Sequence, residues 1–441
     1  MVKKIRISGV VDCRVKPPGS KSITNRALVC AALADHATCL TGFLDSEDTR
    51  VMLDALRNLG LQIDHNTDLA TVYVNGCGSD FPNKTAEIYV ANSGTTARFL
   101  TAALAATRDG CYRIFGKPRM HERPIGDLIS ALRQLGADVR SEAGNDCPPV
   151  LIGKNGTFGG KAQISGEISS QFLSALLMAA PAGTSEIVLT VQGKLVSKPY
   201  IHMTLEVMRA FGATVDATDD LAHFRISANN SRNEAQRNDG ISHGYAIEPD
   251  ASAASYFFAA AAVTGGSVTV DGLSQNSLQG DIHFCDCLGQ MGCRVHYDAD
   301  STTVVCPPTG MLQGITVDMN AISDTVMTLG VVALFAQEPT RITNVAHIRH
   351  KETDRIAALA CELLKFGATV TEFDDGLEIV PPKTFPDGEK EINTYDDHRM
   401  AMSFAIAGLR VPGVVIRDPG CVAKTYPGFF DDLEKYCYSE R

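Results

Sequence analysis

Apolar positions along the chain fall into two helical patterns that alternate, with short β-rich runs between them. The first pattern is amphipathic and closes on glycine. It recurs as "LDALRNLGLQI" (53–63), "ISALRQLGADV" (129–139), "LEVMRAFGATV" (205–215), "FCDCLGQMGCRV" (284–295) and "CELLKFGATV" (361–370). Each reads as a helix with one apolar face, followed by the start of a strand. The glycines are Gly60, Gly136, Gly212, Gly292 and Gly367, at intervals of 76, 76, 80 and 75 residues. Glycine at such a place takes the left-handed conformation that ends a helix. "FFDDLEKY" (429–436) reads as a sixth copy, truncated. One such motif is common in α/β proteins; a series at near-constant spacing is an internal repeat.

The second pattern is apolar nearly all round and rich in alanine. Its segments are "KSITNRALVCAALA" (21–34), "GTTARFLTAALAA" (94–106), "SSQFLSALLMAA" (169–180), "DASAASYFFAAAA" (250–262), "SDTVMTLGVVALFA" (323–336) and "DDHRMAMSFAIAGL" (396–409). Helices of this kind are buried. The runs "TVYVNG" (71–76), "EIVLTV" (186–191) and "VTVDGL" (268–273) read as strands. The repeating unit is therefore β-α-β-α-β-β, about 76 residues long and present six times. A chain of 441 residues exceeds one ordinary core, so two or three domains are expected.

Each buried helix opens on small polar or charged groups: Lys21 and Ser22, Gly94 with Thr95 and Thr96, Ser169 to Gln171, Asp250, Asp324, Asp396 and Asp397. Taken singly, such groups are N-caps. Taken together they suggest helix ends aimed at a bound anion, because the first turn carries unpaired N–H groups and partial positive charge. Cations stand beside them: Lys21 and Arg26, Arg98, Arg123, Arg349, Lys351 and Arg355 in "IRHKETDR" (348–355), His398 and Arg399 in "YDDHRMAM" (395–402), and Lys424. "KETDR" alone could be a solvated charge run, but "DHRMAM" leads straight into an apolar helix, where charge needs a partner. Such a set suits a ligand with several phosphate and carboxylate groups. Asp324 and Glu352, carboxylates among these cations, are the acid/base candidates.

Bulk properties narrow the rest. Net charge is −11, against a nucleic-acid partner. Thirteen cysteines in apolar or small-residue contexts read as reduced, mostly buried thiols of a cytoplasmic protein. Cys285 and Cys287 lack a second pair at zinc spacing and read as core, so no metal is expected. No signal peptide opens the chain, and no apolar run reaches membrane length. "PPGSKSITNRAL" (17–28) resembles the end of a phosphate loop, yet it lacks the upstream glycine and the Gly-Lys step of that motif.

The segments "PGSKSITNRALVCAALA", "NSGTTARF", "RMHERPIGDL", "SSQFLSALLMAAP", "LVSKPYI", "DASAASYFFAAAA", "KETDR", "YDDHRMAMSFA" and "AKTYPGFF" together resemble the EPSP synthase family, from about residue 6 to about 430. The resemblance implies an α/β, two-domain enolpyruvyl transferase fold. Three β-α-β-α-β-β repeats would build each domain, with the active site in the interdomain cleft. It places one domain at 21–247, on the shikimate 3-phosphate side. The other combines 1–20 with 248–441 and completes the phosphoenolpyruvate site. It further implies a cytoplasmic monomer without cofactor, a step of the shikimate pathway and a target of glyphosate. The reaction it implies is transfer of the enolpyruvyl group of phosphoenolpyruvate to the 5-hydroxyl of shikimate 3-phosphate, by addition and elimination.

Residue roles follow from the same resemblance. Lys21 touches both substrates and belongs with the catalytic pair Asp324 and Glu352. Asp324 accepts the hydroxyl proton and Glu352 handles the proton at C3. Ser22, Arg26, Ser169, Ser170, Gln171, Ser197, Tyr200, Asp324, His347 and Lys351 serve shikimate 3-phosphate. Asn92, Gly94, Arg123, Gln171, Arg355, His398, Arg399 and Lys424 serve phosphoenolpyruvate. The chain departs from the family pattern at His347, where Asn is usual, at Phe99, where many relatives have Pro, and at Ser323, where Pro often precedes the aspartate.

Three other readings compete. The sister transferase acting on UDP-N-acetylglucosamine carries a cysteine near 110–125, and Cys111 lies there. "RMHERPI" and "SSQFLSALLM" favour the shikimate enzyme. A non-catalytic anion binder has no use for both Asp324 and Glu352. Nucleic-acid binding is disfavoured by acidity and by the absence of tryptophan.

Overall fold

Each repeat is centred on one small sheet. The computed structural model describes residues 1–107, 109–154, 156–228, 243–307 and 311–438; the polar stretch 229–240, read from sequence as a surface loop, lies outside them. Twelve α-helices are present among the described residues. The odd-numbered ones are the alanine-rich helices: α1 (Lys21–Ala32), α3 (Gly94–Ala105), α5 (Ser170–Ala179), α7 (Ala251–Thr264), α9 (Val326–Ala333) and α11 (His398–Ala407). The even-numbered ones are the amphipathic helices: α2 (Glu47–Asn58), α4 (Gly126–Gln134), α6 (Lys198–Ala210), α8 (Phe284–Gln290), α10 (Arg355–Leu364) and α12 (Phe429–Cys437). Every residue of α3 and of α7 is buried, as an all-round apolar helix requires.

The repeat glycines close the amphipathic helices. All five have positive φ, from 77° at Gly212 to 103° at Gly292. After α2, Gly60 N–H donates to Arg57 O (2.9 Å) and Leu61 N–H to Leu56 O (3.2 Å). This paired pattern satisfies the last carbonyls and turns the chain into the next strand. It recurs at Gly136, Gly212 and Gly292.

Five sheets have four strands and share one topology: a parallel pair, then two antiparallel neighbours. The sixth has three. In two sheets the leading strand comes from far along the chain. His243–Ala246 runs parallel to Ala37–Thr41, and Asp12–Val15 runs parallel to Ser267–Asp271. In the sixth sheet Val2–Lys4 pairs antiparallel with Val414–Arg417.

These exchanges define two compact units, 1–18 with 248–441, and 19–247. The break falls between Pro18 and Gly19, two residues before the boundary placed after Ser20 from sequence. Gly19 explains the glycine of the "PPGSKS" stretch: a Cβ there would lie 1.8 Å from Gly42 O. Close backbone approach, not phosphate binding, requires glycine at this position.

Candidate active site

In the 19–247 unit the candidates cluster at the starts of α1, α3, α5 and α6, which pack on one another. Ser20 caps α1 by accepting from Ile23 N at 3.4 Å, so Lys21 is its first helical residue. Lys21 Nζ lies 3.9 Å from Asp48 Oδ2 in the first turn of α2. One turn into α1, Arg26 is 1% exposed. Its guanidinium donates to Thr204 Oγ1 (2.7 Å), Ser22 O (2.9 Å), Ser174 Oγ and Tyr200 O (both 3.3 Å). These four acceptors are neutral, and burial pulls Arg26 down to about 10. A cation so placed gains from an anion brought alongside.

Ser93 caps α3, accepting from Thr96 N at 3.4 Å, and Gly94 opens that helix. Arg98 donates to Gly94 O (3.2 Å) and Pro124 O (2.9 Å). Arg123 donates to Asn92 O (3.0 Å) and Asn92 Oδ1 (3.3 Å). The structure thus brings Asn92, Gly94, Arg98 and Arg123 together. Ser169 caps α5 and accepts from Gln171 N at 3.2 Å, with Ser170 between them. Ser197, buried, precedes α6 in the left-handed region with φ 53°. Such backbone is uncommon outside glycine and gathers at functional sites. Tyr200 follows in the first turn of α6.

In the other unit the site is built around Arg355, which opens α10 and is 1% exposed. Its Nε donates to Asp397 Oδ2 (2.8 Å), one terminal nitrogen to Asp324 Oδ1 (3.1 Å) and the other to Glu352 Oε2 (2.9 Å). Burial alone lowers the guanidinium's proton affinity, but Asp397, Glu352 and Asp324 outweigh it and push it up. Arg399 NH2 donates to Asp324 Oδ2 at 2.7 Å. Lys351 Nζ stands 3.8 Å from Asp324 Oδ1, and Lys424 Nζ 3.6 Å from Glu352 Oε1. Both candidate carboxylates are therefore flanked by fixed cations.

Asp324 does not open an α-helix, as the 323–336 pattern suggested. It lies in a 3-10 turn, Asn320–Thr325, with Ile322 bent to φ −126°, ψ 36°, and α9 starts only at Val326. Thr325 Oγ1 donates to Ile322 O at 2.9 Å and holds the tight turn. The carboxylate is thereby left to the arginines instead of capping a helix.

Two histidines are buried nearby. His347 Nε2 bonds Ser323 Oγ at 3.0 Å; burial, then the Lys351 charge, pulls His347 down to about 3. His398, at the start of α11, is 1% exposed, and neither ring nitrogen has a hydrogen-bond partner among the described residues. Burial, then the adjacent Arg399, holds it neutral.

Three residues outside the expected set belong to this network. Asp397, fully buried, caps α11 by accepting from Arg399 N at 2.9 Å and also receives Arg355. Ser252 and Asp281 are joined by a short hydrogen bond, and Ser252 Oγ lies 3.5 Å from Arg399 NH2. In sequence Asp397 looked like a helix start only. The one signal for Asp281 was a carboxylate three residues before the amphipathic segment 284–295. Cys285 and Cys287 lie in the core, as expected, with burial pushing Cys287 up to about 12. All cysteines are free. Among the described residues no helix is long and apolar enough to cross a membrane.

Repeated β-α-β-α-β-β units with buried helices that open on polar groups are the architecture of the enolpyruvyl transferases. An EPSP synthase from Acinetobacter baumannii superposes with a TM-score of 0.78 at 25% identity, covering 99% of this chain and 98% of that one. The model of the family EPSP synthase (3-phosphoshikimate 1-carboxyvinyltransferase) matches residues 5–433, and the chain belongs to that family. The chloroplastic 3-phosphoshikimate 1-carboxyvinyltransferase of Arabidopsis thaliana is 46% identical over 441 residues, spanning 97% of this chain and 82% of its own. The enzyme of that name from Trichormus variabilis is 48% identical over 420 residues, 95% of each chain.

Proposed function

We propose that these clusters are the substrate sites of an enolpyruvyl transfer, with Asp324 and Glu352 as its proton-handling groups. The protein transfers the enolpyruvyl group of phosphoenolpyruvate to shikimate 3-phosphate in the shikimate pathway. In our reading Ser169, Ser170 and Ser197 hold the shikimate phosphate, with Gln171 and Tyr200 beside the ring. Ser22 and Arg26 hold its carboxylate. Gly94, Asn92, Arg123 and Lys424, with His398, serve the phosphate of phosphoenolpyruvate. Arg355 and Arg399 serve its carboxylate, and Lys21 meets both substrates. His347 and Lys351 complete the shikimate side.

The chemistry divides into addition and elimination. Glu352 delivers a proton to C3 of phosphoenolpyruvate while the 5-hydroxyl oxygen attacks C2 and gives its proton to Asp324. Phosphate then leaves C2 of the tetrahedral adduct, taking up the proton held by Asp324, as the C3 proton returns to Glu352 and restores the double bond. We further propose that the chain works as a monomer in the cytoplasm, since no step calls on a second copy or a membrane; light scattering and cell fractionation test this.

The observation that carries the reading is the single guanidinium of Arg355 holding both Asp324 and Glu352. Two acid/base groups fixed by one rigid fork keep a constant separation and orientation, as proton transfer at two substrate atoms needs. The test is phosphate release from phosphoenolpyruvate with shikimate 3-phosphate or UDP-N-acetylglucosamine as acceptor. Release is expected with shikimate 3-phosphate only. Asp324→Asn and Glu352→Gln should each lower kcat by about 10²–10⁴ with little change in substrate affinity. Wild-type turnover in either variant removes that residue from the mechanism.

A further inference from the structure

Among the buried carboxylates of the unit that carries Arg355, Asp281 stands beside the Arg399 network, and no step above uses it. Asp281 is 4% exposed and lies in the 3-10 turn Gly280–His283. The residue before that turn clamps it to the first turn of α7. Gln279 Nε2 donates to Pro249 O (2.6 Å) and Glu248 Oε1 (2.9 Å), and Gln279 Oε1 accepts from Ala251 N (3.1 Å). The clamp sets Asp281 beside Ser252, whose hydroxyl donates to Asp281 Oδ2.

A hydroxyl has one proton and two lone pairs. With the proton committed to Asp281, Ser252 turns its lone pairs outward. Arg399 NH2 lies 3.5 Å from that oxygen and donates to Asp324 Oδ2 at 2.7 Å. A guanidinium only donates, so an oriented acceptor is the one thing Ser252 can offer it. Burial, then the neighbouring Asp324 charge, pushes the Asp281 carboxyl up to about 6, while the Arg399 charge opposes the rise.

We propose that Asp281 is a positioning residue: by fixing the Ser252 hydroxyl it holds the Arg399 guanidinium in the orientation that receives the carboxylate of phosphoenolpyruvate. The inference rests on the assignment of Arg399 to that carboxylate. Asp281 and Ser252 touch no substrate in this scheme; their effect passes through one nitrogen of Arg399.

Steady-state kinetics on Ser252→Ala, Ser252→Thr, Asp281→Ala and the double alanine variant test it, with Arg399→Lys alongside. Ser252→Ala and Asp281→Ala should each raise KM for phosphoenolpyruvate about tenfold, the weight of one hydrogen bond to a charged group. Their kcat and KM for shikimate 3-phosphate should stay within about threefold of wild type. The double variant should be no worse than the worse single, since both act through one contact. Ser252→Thr keeps the hydroxyl and should restore the wild-type KM. Should Asp281→Ala fail to fold, Ser252→Ala, which loses one oxygen, still decides the matter. A wild-type KM in Ser252→Ala, or effects that add, overturns the inference. If Arg399→Lys also leaves KM for phosphoenolpyruvate unchanged, the assignment of Arg399 falls with it. If Arg399→Lys raises that KM while Ser252→Ala does not, only the positioning role falls.

Discussion

His347 Nε2 and Ser323 Oγ are hydrogen-bonded at 3.0 Å, and both are buried. The pair ties the turn 346–350 to the residue immediately before Asp324. The bond restrains the backbone immediately before the aspartate. His347→Ala or Ser323→Ala should therefore loosen the Asp324 turn. We expect each to cost about 1–2 kcal/mol of stability, since a buried partner is left unsatisfied. We also expect the double variant to be no less stable than the worse single. A urea-melt double-mutant cycle measures the coupling; full additivity would remove the pair from this role.

The same histidine governs acid stability. Folding holds His347 and His398 below their ordinary values, chiefly through burial. The unfolded chain binds protons at both near pH 6.5 while the folded chain does not, so stability is intact above that pH and falls as pH drops below it. Each contributes a slope of up to about 1.4 kcal/mol per pH unit. Asp281 works oppositely: its raised carboxyl favours the folded state at low pH and loses that contribution as pH rises through about 6. The clean readout is thus a difference between proteins. Between pH 7 and 5.5 the wild type should lose more stability than His347→Gln. Equal losses would mean that His347 is charged in the folded protein.

The repeat was legible because its signals are local. A Schellman turn depends on residues within one helix end, so Gly60, Gly136, Gly212 and Gly292 marked it directly. The cations were legible because charge next to an apolar helix is anomalous wherever it occurs. Strand exchange was not. Nothing near 12–15 says that it pairs with 267–271 rather than with the next strand, since pairing is decided by register over long separations. Asp397 and Asp281 were missed for the same reason: their partners, Arg355 and Ser252, are distant in sequence. The late start of α9 was missed because Ser323, Asp324 and Thr325 read as the polar opening of the apolar helix that follows them.

Ser197 sets stability against binding. Its φ of 53° is strained for a residue with a Cβ, and the strain is worth on the order of 1 kcal/mol or more. Ser197→Gly relieves it and removes the hydroxyl assigned to the shikimate phosphate. The variant should melt at or above the wild-type temperature while its KM for shikimate 3-phosphate rises about tenfold or more. Ser197→Ala should show the same KM without any gain in stability. An unchanged KM in both variants would leave the left-handed backbone without this role.

Gly94 is the position where one methyl group should separate the two substrates. A Cβ there would lie 2.5 Å from Arg123 NH2 and 2.8 Å from Arg98 NH1. Neither contact is tolerable, so a guanidinium must move. Arg98 is held between Gly94 O and Pro124 O, and Arg123 by Asn92, and both are at least 95% buried. Arg123 is the one whose shift costs binding, because its assigned partner is the phosphate of phosphoenolpyruvate. A shift that lengthens one charge-assisted hydrogen bond is worth about 1.5–3 kcal/mol, or ten- to a hundredfold in affinity. Gly94→Ala should raise KM for phosphoenolpyruvate by that factor. The KM for shikimate 3-phosphate should hold, since Arg26, Ser169 and Ser197 stand on other helix starts. Titration calorimetry with shikimate 3-phosphate alone supplies the control. Equal weakening of both substrates would mean that the methyl disturbs α3 as a whole and does not act through Arg123.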